Sequence, residues 1–147
     1  MDNSLAQISF SVTALERYMK DSMKDEQIHI EPEHLFAPGL YVRVLNMPAG
    51  SVIVSKIHKT EHFCLALTGR AVVVVGDTKE TIVGPRLMKT MPGTQRALYI
   101  EEDAVWITFH PTPKTDVDEI EMDIIAKDWN DPILLEYKKN LQLEDIK

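Results

Sequence analysis

Apolar and polar positions alternate with a period of two through most of the middle of the chain. From Leu40 to Pro111 the runs LYVRVLNM, SVIVSKIH, HFCLALT, RAVVVV, ETIV, RLMKTM, RALYI and VWITFHP are rich in β-branched and aromatic residues, and PAG, TGR, GDT, VGP, PGT and EED separate them. Runs of this kind bounded by Gly, Pro and Asp predict strands joined by tight turns, and many in succession predict an antiparallel sandwich or barrel. The ends read differently. Ser11 or Thr13 can cap a helix running to about Asp25, with Leu15, Tyr18, Met19 and Met23 at helical spacing. Thr115 with Asp118 resembles a capping box for a helix through DEIEMDIIAK, and Asp131 followed by Pro132 opens another through LLEYKKN. The reading is one domain over 1–147, divided into an N-terminal helical flank (1–39), a β core (40–111) and an acidic helical C-terminal flank (112–147) packed outside the core.

Within the core, "SKIHKTEHFCLALTGR" sets His58 and His62 four residues apart. That spacing on a helix would put both rings on one face, where they can share a metal. The β-branched alternation of SVIVSKI and the TGR that follows argue for strands instead, with Lys59, Thr60 and Glu61 as the turn between them. Alternation then puts Lys56 and His58 on one face of the first strand, and His62, Cys64 and Ala66 on one face of the next. If these faces line the interior, Lys56, His58 and His62 converge there and Glu61 points outward. Arg43 shares a face with Tyr41 and Leu45 and is a further candidate cation for the same interior. Trp106, Phe63 and Leu65 are expected on the opposite, apolar face. There, as on the exposed sheet edges of a small barrel, a homodimer or higher oligomer would form.

Composition narrows the partners. Sixteen basic against 23 acidic residues give a formal charge of −7, which argues against duplex nucleic acid and anionic membrane surfaces. An anionic ligand would need a local basic pocket. A single cysteine, Cys64, excludes an internal disulfide and a Cys-rich zinc module. The N-terminus has neither a basic start nor a long apolar core, and no stretch reaches the ~18 apolar residues of a spanning helix. The expectation is a soluble, cytoplasmic protein.

The stretch from Gly50 to Gly69 resembles the first conserved motif of the cupin family, G-x5-H-x-H-x3-E-x6-G. Lys56 stands at the first histidine, His58 at the second, His62 at the glutamate and Gly69 at the closing glycine. The second motif, G-x5-P-x-G-x2-H-x3-N, is recognisable in GPRLMKTMPGTQR. Gly93 matches, Pro92 is displaced by one, Gly84 falls one residue early, and Arg96 occupies the histidine position. The resemblance covers roughly residues 40 to 111. KIHKTEH and the later TFHPT are also similar to small cupin-like proteins of tailed bacteriophages; a phage source would put the protein in the host cytoplasm or the virion.

The resemblance implies a single cupin-type antiparallel β-barrel, or jelly roll. In metal-dependent cupins three histidines and the glutamate hold the ion. Here only His58 keeps its identity, and Lys56 and Arg96 would put fixed positive charge where a divalent cation sits, which disfavours metal. His58 and His62 remain candidate ligands, with a third from Glu61, Cys64 or His110. Three functions follow. Lys56, His58, His62 and Arg96, with Arg43, would bind a small anionic metabolite or nucleotide in the barrel lumen without catalysis, with Arg96 at its exposed mouth. Alternatively, similarity to metal-independent sugar-nucleotide epimerases and isomerases would make His58 or His62 a base, with Arg96 steadying an oxyanion and Tyr41 or Tyr99 supplying an acid. A third reading is a structural or assembly role in a phage particle, with the barrel as scaffold.

Overall fold

The computed structural model describes residues 30–146, so the helix expected over 11–25 lies outside the described residues. Strands β1 (Glu33–Ala37), β2 (Leu40–Met47), β3 (Val52–Val54), β4 (Ile57–His58), β5 (His62–Val75), β6 (Thr78–Val83), β7 (Arg86–Thr90) and β8 (Arg96–Pro111) come first. Helix α1 (Val117–Ile124), strand β9 (Ile125–Ala126) and helix α2 (Pro132–Ile146) follow. The molecule is mainly β, and every strand pair is antiparallel. The main sheet runs β1-β2-β8-β5-β6, with β3 also on β8 and β7 also on β5; β4 and β9 form a separate two-stranded ladder. This arrangement is compatible with a jelly roll. Among the described residues its hydrogen-bonded path stays open from β1 to β6 rather than closing into a barrel.

Two long strands make the corner of the fold. One half of β5 pairs with β7 and the other with β6, while β8 pairs with β2 near its end and β3 near its start. TGR and EED, expected as turns, lie inside these strands. They form an irregularity where the β5–β8 register shifts between Ala66 and Ala71. Gly69 takes φ +88° there, and a Cβ on it would meet the Asp103 carbonyl oxygen and come within 2.7 Å of the Ala104 Cα. The left-handed residue therefore produces a bulge that bends the strand instead of reversing the chain. Arg70 pins the bend from outside by pairing with Glu101 and Glu102.

The main core gathers Met47, Cys64, Ala66, Ala71, Val73, Ile82, Leu98, Ile100, Ala104 and Trp106. Trp106 is opposite Ala66 in the register and buried, so it belongs to the interior and not to the outer face expected for it. β1 is a strand within the flank expected to be helical.

The C-terminal flank differs from its expected form in two ways. Asp116, not Thr115, caps α1 by accepting from the Glu119 N–H at 3.0 Å. The helix stops at Ile124, because Ile125 and Ala126 turn extended and pair with β4. Asp131 accepts from the Ile133 N–H at 2.9 Å and Pro132 opens α2, as its sequence implies. Ile120 and Ile124 pack on Tyr41, and Leu134 packs on Ile57 and Ala126. Among the described residues no helix is long and apolar enough to cross a membrane.

Candidate functional site

Pairing across five strands builds two polar rows on the inner face of the sheet. Thr90 is opposite His62. The neighbouring pair Phe63–Phe109 sets His62 beside His110, and His110 is opposite Tyr41. One pleat away, Met88 is opposite Cys64, Cys64 opposite Thr108, Thr108 opposite Arg43, and Arg43 opposite His34. His58 joins from the β4–β9 ladder. Its ring lies 4.8 Å from that of His62, which lies 4.4 Å from that of His110, centroid to centroid. Tyr41 stacks on His110 and on His34, and its hydroxyl is 2.6 Å from His34 Nδ1.

Among the described residues, each histidine of the cluster leaves one buried ring nitrogen without a partner: Nδ1 of His58, Nε2 of His62 and Nδ1 of His110. The other nitrogen of His62, Nδ1, donates to the Thr60 carbonyl at 2.9 Å, and Nε2 of His110 meets the Thr108 hydroxyl at 2.9 Å. Burial, with His62, Arg96, His110 and Arg43 adding repulsion, pushes His58 down to about 3. Burial, reinforced by His62 and Arg43, also brings His110 down to about 3. His62 is lowered chiefly by burial, then by the two arginines, against an opposing bond to Thr60. The three imidazoles are therefore neutral at pH 7.

Arg96 is only 9% exposed, not at an open mouth as expected. Its guanidinium donates to the Thr90 hydroxyl at 2.9 Å, and no carboxylate among the described residues pairs with it. Glu101 and Glu102, the nearest acidic residues in sequence, are taken by Arg70. Burial lowers the Arg96 pKa and raises the Cys64 thiol to about 11, the latter partly offset by Arg96. Arg43 pairs with Glu121 at 4.0 Å and hydrogen-bonds to Tyr41, and its buried Nε has no partner among the described residues.

The sheet thus brings together His58, His62, Arg96 and Arg43, with His110 as a full member. Lys56 is a correction. Its side chain is exposed: pairing with β8 runs on through Ser55, which bonds to Arg96 through its amide and its hydroxyl, and Lys56 follows in the link to β4. Glu61 points outward, paired with Lys89. Tyr99 is exposed on the side away from Arg96. His34, Thr90 and Glu121 had no local signal: each reaches the cluster only through pairing or packing of distant segments.

Three buried imidazole nitrogens invite comparison with a metal site. Yet no group of three His, Cys, Asp or Glu side chains among the described residues is placed to hold an ion, and both arginines repel positive charge from the cluster. The residues do not fit a resident divalent cation.

No family model and no curated protein matches the chain. Solved structures of similar outline include KdgF from a Halomonas species, 15% identical, covering 62% of this chain and 84% of that one with a TM-score of 0.49. An RmlC-like cupin from Shewanella frigidimarina is 16% identical, covering 62% and 88%, with a TM-score of 0.47. A cupin superfamily protein from Desulfitobacterium hafniense is 13% identical, covering 58% and 79%, with a TM-score of 0.48.

Proposed function

We propose that this chain binds a small anion at the His58–His62–His110–Arg96–Arg43 cluster and that the site is a binding site rather than a catalytic one. The observation that carries this is Arg96: a buried guanidinium whose one side-chain partner among the described residues is a neutral hydroxyl. A buried charge without a counter-charge costs several kcal/mol, and an anionic ligand removes that cost while gaining a planar, multidentate donor. Arg43, with a buried N–H unpartnered beside the same rings, adds a second donor.

Catalysis by proton abstraction is less well supported by the same groups. A base is most effective with its pKa near the working pH, whereas His58 and His110 are held at about 3. Among the described residues no carboxylate bonds to a ring of the cluster; the partners of His62 and His110 are the Thr60 carbonyl and the Thr108 hydroxyl. A thermal-shift panel of small carboxylates, phosphates, cyclic nucleotides and sugar nucleotides tests the reading. At least one anion should raise the melting temperature of the wild type and leave Arg96→Met unmoved. Equal responses in both proteins would place anion binding elsewhere.

We also propose that the outer face of the sheet associates with a second copy. Leu87, Phe63 and Leu35 are 64%, 50% and 45% exposed. Leu65, Ile107, Phe109, Val42 and Val44 stand between them in the register. A contiguous apolar patch rimmed by polar residues, here Glu33 and Lys89, is the kind of surface on which chains associate. Sedimentation at micromolar concentration should show a dimer or larger species, dissociated by Phe63→Glu with Leu87→Glu; a wild-type monomer would refute this.

A further inference from the structure

Resting on the anion-binding reading, we infer that the ligand is an anion that also carries a hydroxyl group, and that His62 Nε2 accepts a hydrogen bond from that hydroxyl. A backbone carbonyl can only accept, so the 2.9 Å contact with Thr60 assigns the ring proton to His62 Nδ1. Nε2 is then a lone pair. It is buried and has no partner among the described residues, a situation that costs free energy unless something donates to it.

The surroundings of this lone pair define the rest of the ligand. Thr90, directly opposite His62 in the β5–β7 register, accepts from Arg96, so a guanidinium and an acceptor-only nitrogen flank one threonine. The Thr90 hydroxyl is engaged with Arg96. On the other side, Arg43 carries an unpartnered Nε–H one pleat away, opposite Thr108. The site offers cationic donors to anionic oxygens and, beside them, an acceptor that an anionic oxygen would repel. A simple carboxylate or a fully ionised phosphate satisfies only the first requirement; a hydroxy acid or a hydroxylated phosphate ester satisfies both.

Matched pairs differing by one hydroxyl separate these cases: glycolate against acetate, and 3-hydroxypropyl phosphate against propyl phosphate, titrated calorimetrically into the wild type, His62→Gln and His62→Phe in the presence of EDTA. The wild type should prefer the hydroxylated member of at least one pair by roughly 2- to 10-fold, the range for one neutral hydrogen bond. Which pair responds distinguishes a hydroxy acid from a phosphate ester. His62→Gln, whose amide oxygen can accept, should keep part of that preference. His62→Phe should lose it. Equal affinity for both members of each pair in the wild type would overturn this inference and leave the anion site standing. No binding of any of the four, nor of any anion in the thermal panel, would remove both. A preference seen only after zinc is added would overturn the inference as well, since the lone pair would then serve a metal. If His62→Phe does not fold, the wild-type pairs and His62→Gln still decide.

Discussion

Replacing Arg96 by methionine should leave the ligand-free protein as stable as the wild type or slightly more so, an unusual outcome for a side chain only 9% exposed. The wild type loses the hydration of a guanidinium, worth several kcal/mol, and regains one charge-assisted bond to the Thr90 hydroxyl, worth about 1.5–3 kcal/mol. Methionine removes both terms, fills much of the same volume, and leaves the Thr90 hydroxyl short of one donor, at a cost of roughly 1 kcal/mol. The balance is a gain of about 0–2 kcal/mol. For a chain of this size that is a melting-temperature rise of about 0–7 °C. Calorimetry or circular dichroism melts in an anion-poor zwitterionic buffer read it directly. A fall of about 10 °C or more would correspond to the 3–5 kcal/mol lost when one partner of a buried ion pair is deleted. It would show that Arg96 already has its counter-charge within the chain, and so refute the reasoning.

Acid should destabilise the fold through the histidines. His58 and His110 titrate at about 3 when folded and near the ordinary 6.5 when unfolded, so the unfolded state takes up protons first. Their stabilisation is complete above pH 6.5 and is lost as the pH falls toward 3, with a slope of up to about 1.4 kcal/mol per pH unit per ring. Urea denaturation at pH 7.5, 6 and 5 should show falling midpoints, and His110→Gln should flatten the trend; identical midpoints would contradict it. Gly69→Ala should cost at least about 3 kcal/mol, because φ +88° is combined with a backbone clash at Asp103 and Ala104. A variant melting within a degree or two of wild type would show that the bulge relaxes. The buried Cys64 thiol, pushed up to about 11, should resist disulfide-exchange reagents at pH 8 until the protein is denatured, whereas rapid native labelling would mean that the interior opens.

Local pattern was informative wherever a strand runs unbroken. Alternation along β5 correctly separates His62, Cys64 and Ala66 from Glu61, Phe63 and Leu67, and the Tyr41–Arg43 face of β2 is readable in the same way. It failed for Lys56 because pairing with β8 stops after Ser55, opposite Arg96, and Lys56 lies in the link between β3 and β4, where alternation does not carry over. TGR carries a genuine turn signal in Gly69, but whether a left-handed glycine reverses a strand or bulges it depends on the partner strand. His110 was one of several equivalent donors in the sequence; only the β2–β8–β5 pairing sets it between Tyr41 and His62. The Arg96 position followed from resemblance to the cupin motif, while its burial and its lack of a carboxylate follow from the packing of β7 against β5.

The most direct test of the central claim is nuclear magnetic resonance of the side-chain nitrogens in uniformly 15N-labelled protein, titrated with the anion that gives the largest thermal shift. Ligand entering the cluster should move the Arg96 guanidinium and the His62 and His110 ring resonances together, saturating at one concentration, with no such change in Arg96→Met. Saturable binding that leaves all three unmoved would contradict an anion site at this cluster.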